Sequence, residues 1–93
     1  MQRGSVEIKL RTPLKINGVE TSVLTMREPT VGDQLAVDLK GGAPGQREKN
    51  LIANLCEIPT ESMLEMTLHD YLNVQRAFTG FLDLPPDTSG QEL

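Results

Sequence analysis

Apolar and polar residues alternate at the start of the chain, where Val6, Ile8 and Leu10 are interleaved with Glu7, Lys9 and Arg11. A period of two is the pattern of a strand with one face buried. Leu14 and Ile16 carry the alternation past Pro13, and Asn17-Gly18 then supplies two residues that tolerate the positive φ of a type I′ hairpin turn. A return strand is predicted to follow, giving a hairpin over about 6–26. Pro13 has no amide to donate, so the first strand is expected to be short or irregular there.

Beyond Pro29 the spacing becomes helical. Val31, Leu35 and Leu39 stand at i, i+4 and i+8, which predicts a helix over about 30–40 with these three turned inward and Asp33, Asp38 and Lys40 facing water. Gly41-Gly42 should stop it, and "GGAPGQRE" reads as a mobile linker. A second helix is predicted over about 46–57 with Leu51, Ile52, Leu55 and Cys56 inward, a third over about 60–66, and a fourth over about 68–82 opened by Thr67. On the last of these, Leu68, Tyr71, Leu72, Val74, Ala77, Phe78, Phe81 and Leu82 sweep an arc of roughly 220°. One supporting face needs less than that. Tyr71 and Leu72 are expected in the core, while Val74, Phe78 and Phe81 are equally candidates for binding a partner. The expected architecture is a single α+β domain over 1–82, an N-terminal β-hairpin packed on three to four short helices, followed by a disordered tail over 83–93 whose paired prolines and polar residues lack periodicity.

Composition narrows the possible functions. Ninety-three residues suffice for one small core, and with two Phe, one Tyr and no Trp that core must be aliphatic. A net charge of −4 disfavours nucleic acid as a partner, because phosphate binding needs clustered Lys and Arg, whereas here the basic residues are scattered. Cys56 is the only cysteine, which excludes an intramolecular disulfide or a Cys-based metal site and fits a small buried hydrophobe in a reduced compartment. Without a signal-like N-terminus or an apolar run of about 18 residues, a soluble cytoplasmic protein with no membrane partner is expected.

The densest cluster of polar residues is "REPTVGD", Arg27 to Asp33. Glu28 precedes Pro29 and is biased to an extended conformation, Thr30 can cap the following helix through the Asp33 amide, and Asp33 can return a bond to Thr30. Asp33 thereby occupies the positive end of the helix, where a bound anion would otherwise sit near Gly32. Thr67 to Asp70 repeats the Thr-x-x-Asp spacing at the start of the last helix. Arg27 and Glu28 are left to a local ion pair or to project towards a partner. Gly32 is out of place early in a helix, and close approach of another backbone would account for it. His69 could act as a general base only if Asp70 oriented it, but adjacent helical residues point about 100° apart. No phosphate loop, zinc-protease pair or nucleophile elbow is present, so neither a cofactor nor catalysis is expected.

In order and spacing, the "NGVE" turn, "LTMREPTVGDQL", the glycine-rich interruption, "LIANLCEIP" and "LHDYLNVQRAFTGFL" resemble the phage tail assembly chaperone family of Mu-like and related contractile-tailed phages and prophages. The resemblance covers about 6–82, and its markers are Arg27, Glu28, Pro29, Thr30, Gly32 and Asp33 together with Asp70-Tyr71. It implies a non-enzymatic cytoplasmic protein of the bacterial host, absent from the mature virion, that binds the tape measure protein during tail morphogenesis and associates with itself. Relatives of this kind are often made in two lengths by ribosomal frameshifting. Two rival readings are a structural virion component, such as a tail tube or baseplate adaptor, and a small hydrolase or phosphate-binding regulator.

Overall fold

Asn17 and Gly18 adopt φ of 51° and 82°, the left-handed values a type I′ turn requires. They join β1 (Ser5–Ile16) to β2 (Val19–Arg27) as an antiparallel hairpin in a computed structural model that describes residues 4–83. Four helices follow: α1 (Val31–Lys40), α2 (Pro44–Cys56), α3 (Thr60–Glu65) and α4 (Leu68–Leu82). The protein is thus an α+β hairpin-and-helices fold, as the hydrophobic pattern predicts. The expected tail, apart from Asp83, lies outside the described residues.

β1 is irregular but not short. Its ladder runs from Ser5↔Arg27 to Lys9↔Val23 and resumes at Leu14↔Thr21, so the four residues Leu10 to Pro13 lie opposite Ser22 alone. A bulge of this kind releases backbone groups from the ladder. Pro13 sits inside it, where its missing amide costs no strand pairing.

α2 is the hub. It packs against β2, α1, α3 and α4, and of its last six residues only Asn54 is exposed. The core joins Ile8, Leu10, Leu14, Leu24 and Met26 of the hairpin to Leu51, Ile52, Ala53, Leu55 and Cys56 of α2, with Val37, Met63, Tyr71 and Val74 from the other helices. Pro44 and Gly45, expected in the linker, belong to the first turn of α2, because proline at the first helical position forfeits no intrahelical bond. The connection is therefore only Gly41 to Ala43. α2 ends at Glu57, a non-glycine residue in the left-handed region with φ 58°. The Ile58 amide then closes on the Ala53 carbonyl at 3.0 Å and turns the chain into α3.

α1 corrects the expected burial. Val31, Leu35 and Leu39 are 86%, 55% and 79% exposed, and Val37 is the residue of this helix that enters the core. Periodicity identifies residues that share a face without saying which way that face turns.

Candidate docking surface

The direction of α1 is set at the joint that precedes it. Arg27, the last residue of β2, donates from Nη1 to Asp33 Oδ2 and from Nη2 to Asp33 Oδ1, each at 2.8 Å. Asp33 also accepts the Thr30 amide at 2.9 Å and the Thr30 hydroxyl at 3.0 Å, while its own amide donates to Thr30 Oγ1 at 3.2 Å. The capping box predicted for α1 is complete. About 100° of rotation per residue places Asp33 and Val37 on one side of α1 and Val31, Leu35 and Leu39 nearly opposite. Clasping Asp33 to the end of β2 therefore turns the apolar stripe to solvent.

Arg27 pairs with Asp33 rather than with Glu28, which corrects the expected local pair. Successive side chains of an extended segment diverge. Glu28 is exposed, and its amide donates to the Gly4 carbonyl.

The Arg27 guanidinium holds the Asp33 carboxyl well below the usual carboxylate range, opposed by burial and reinforced by the Thr30 amide and hydroxyl; Arg27 is raised in return. A carboxyl whose pKa is lower folded than unfolded binds fewer protons in the native state. Its stabilisation is complete above the unfolded value and disappears as pH falls through the folded one. Asp33→Ala should cost roughly 0.5–2 kcal/mol at pH 7, the range for a lost cap, since a half-exposed ion pair adds little. In urea denaturation the gap from wild type should narrow as pH falls from about 5 towards 2. A gap that stays constant over that range would contradict the clasp.

α4 is anchored at two levels. Thr67 Oγ1 accepts the Asp70 amide at 3.2 Å, but the Asp70 carboxylate does not accept the Thr67 amide to complete a capping box. Instead it crosses to the β1 bulge, where Oδ1 accepts the Arg11 amide at 2.9 Å and Oδ2 the Thr12 amide at 3.0 Å. Asp70 has no exposed surface. Burial pushes its carboxyl up, yet the Thr12 and Arg11 amides, with Thr67 and the nearby His69, outweigh that and hold it below the ordinary value. At the next residue the Tyr71 hydroxyl donates to Glu48 Oε1 at 3.3 Å, and about one turn on Gln75 Nε2 donates to both Glu48 oxygens at 3.2 and 3.1 Å. Burial first, and the Glu48 carboxylate second, push the Tyr71 phenol up to about 12.

The C-terminal half of α4 meets the start of α1 in an open groove of about 250 Å³, walled by Pro29, Val31, Leu51, Phe78 and Leu82. Thr30 and Gln34 are its polar residues. A concave apolar surface rimmed by a few polar groups suits the apolar side of an amphipathic helix.

Among the residues singled out in the sequence, Pro29 and Thr30 come together with Phe78 in this groove, while Arg27 and Asp33 form the clasp that is bonded to Thr30. Gly32 is exposed and lies outside it. Phe81 is half-buried against the core. Val74 has no exposed surface, so it packs inside and presents nothing to a partner. Leu72, expected in the core, is 50% exposed. Sequence reasoning did not place Val31 or Leu82 at the groove, because their local pattern is that of ordinary core residues.

His69 is exposed, Asp70 is committed to the β1 amides, and burial pushes the Cys56 thiol up to about 11, which keeps it protonated. Among the described residues no helix is long and apolar enough to cross a membrane.

A sequence model of the family described as phage tail assembly chaperone proteins, E, or 41 or 14, matches residues 7–83. No match was found among curated proteins or solved structures.

Proposed function

The chain belongs to the phage tail assembly chaperone family, and from that membership we propose that it binds the tape measure protein during tail morphogenesis and keeps it soluble without catalysing a reaction. A role in tail assembly follows from the family; the tape measure protein as client is the further step. A tape measure helix is long and amphipathic, so before the tube forms around it an apolar side is open to aggregation. Reversible cover needs apolar surface on the chaperone, and the observation that carries this reading is the groove of Pro29, Val31, Leu51, Phe78 and Leu82. Subunits coating one rod also contact one another, so self-association belongs to the same reading. The site of action is the cytoplasm of the bacterial host, and the protein leaves before the virion matures.

Co-expression with the tape measure protein of the same phage or prophage should raise the soluble fraction of that protein, and the two should co-purify. A tape measure protein equally soluble alone, with no complex surviving gentle purification, would overturn the proposal. Mass spectrometry of mature particles separates it from a tail tube or baseplate component: a chaperone is absent, a structural protein present in many copies.

A further inference from the structure

We propose that the solvent face of α1 is a self-association surface, on which a second copy of this chain docks α1 against α1 in antiparallel orientation. This gives a location to the self-association included above and rests on that reading only there. Val31, Leu35, Leu39, Gly32 and Ala36 span an arc of about 140° on which no charged residue falls. All five are exposed. α1 leans on α2 through its other side, and among the described residues this side stays open, with Val31, Leu35 and Leu39 all more than half exposed.

Gly32 marks how closely the second helix approaches. Its φ is not in the left-handed region, and a Cβ there would meet only Thr30 Oγ1, at 3.7 Å. The fold of one chain therefore does not need this glycine, although glycine in a helix costs up to about 1 kcal/mol relative to alanine. Gly32 and Ala36, one turn apart, lower the helix surface so that another helix can come near the short end of the 8–10 Å range of interaxial distances.

Charge selects the occupant and its direction. Glu28 flanks the N-terminal end of the stripe and Lys40 the C-terminal end, and neither forms an ion pair within the described residues. Asp38, beside them, is already engaged by Gln34 at 3.1 Å and Arg47 at 3.9 Å. A surface that is apolar in the middle, acidic at one end and basic at the other is complementary to itself when reversed. A two-fold axis near Leu35 places Lys40 of each copy against Glu28 of its mate, whereas a parallel pair would stack like charges. The apolar patch is on the order of a few hundred Å² per copy. Two such patches fall short of the roughly 1,200 Å² of a stable interface, so the dimer is reversible and concentration-dependent.

Sedimentation velocity on the purified full chain, without any tape measure protein, tests this. Wild type should shift from monomer to dimer between about 10 µM and 1 mM, the weak range expected for so small an interface. Leu39→Glu and Gly32→Gln should each weaken dimerisation at least tenfold while leaving the far-UV circular dichroism of the monomer intact and not lowering its melting temperature. Glu28→Lys and Lys40→Glu should each weaken it, and the double swap should restore it. A wild type that stays monomeric throughout, or a dimer indifferent to Leu39→Glu, overturns the proposal. Failure of the double swap to restore overturns the antiparallel arrangement. If the chain stays monomeric while Leu39→Glu abolishes co-purification of the tape measure protein, the face belongs to that partner instead, and the proposed function survives without the dimer.

Discussion

Replacing Asp70 by alanine should lower the stability of the protein by roughly 2–4 kcal/mol, more than any exposed substitution, and reduce the melting temperature by about 10 °C or more. The carboxylate is fully buried and accepts the Arg11 and Thr12 amides. Without it two β1 donors lose their acceptors, and each unsatisfied group costs about 1–3 kcal/mol. Asp70→Asn should be nearly as damaging. Its oxygen can accept one amide, but its NH₂ must then face the other, donor against donor. Urea denaturation followed by circular dichroism decides the matter: stability within about 0.5 kcal/mol of wild type for both variants would mean that the bulge is held by packing alone. The effect should also be local in origin, because Thr67 still caps α4 through the Asp70 amide in either variant.

Phe78→Ala should weaken the complex with a soluble tape measure fragment by roughly 30-fold, the loss expected for an aromatic anchor worth about 2 kcal/mol. Phe78 lies in the α1–α4 groove but is also packed on the core, so this variant will lose some stability too. Val31→Ser separates the two effects. Val31 is 86% exposed, so its replacement should leave stability within about 0.5 kcal/mol and still reduce binding at least several-fold in isothermal titration calorimetry. Full affinity in Val31→Ser and Phe78→Ala together would remove the groove from the proposed function.

Both predictions concern contacts invisible to local patterns. The Thr67-x-x-Asp70 spacing correctly points to a helix start, but the carboxylate's partners lie 59 and 58 residues away, and nothing in the neighbourhood of Asp70 marks them. Pro13 announces an irregularity in β1 without revealing that four residues will face one. Arg27 and Glu28 are neighbours of opposite charge, so proximity along the chain suggests a pair; the extended backbone sends them apart and leaves Arg27 facing Asp33 after the turn at Pro29. The Thr30–Asp33 box is legible because both of its bonds span three residues.

Local chemistry was enough to specify the hairpin, its Asn17-Gly18 turn, the starts of α1 and α4, the inward side of α2 and, through the order of these motifs, the family. Alternation, capping and turn propensity act over a few residues, so they can be read along the chain. The direction in which α1 turns its apolar stripe could not be read that way. Val31, Leu35 and Leu39 satisfy the helical period equally well facing in or out, and their exposure follows from the Arg27–Asp33 clasp and from α1 having its packing partner, α2, on the opposite side. The same holds for the groove. Pro29, Val31, Phe78 and Leu82 become one surface only once Asp70 and Glu48 have fixed α4 against the hairpin and α2, because what brings them together is hydrogen bonding between residues distant in the chain.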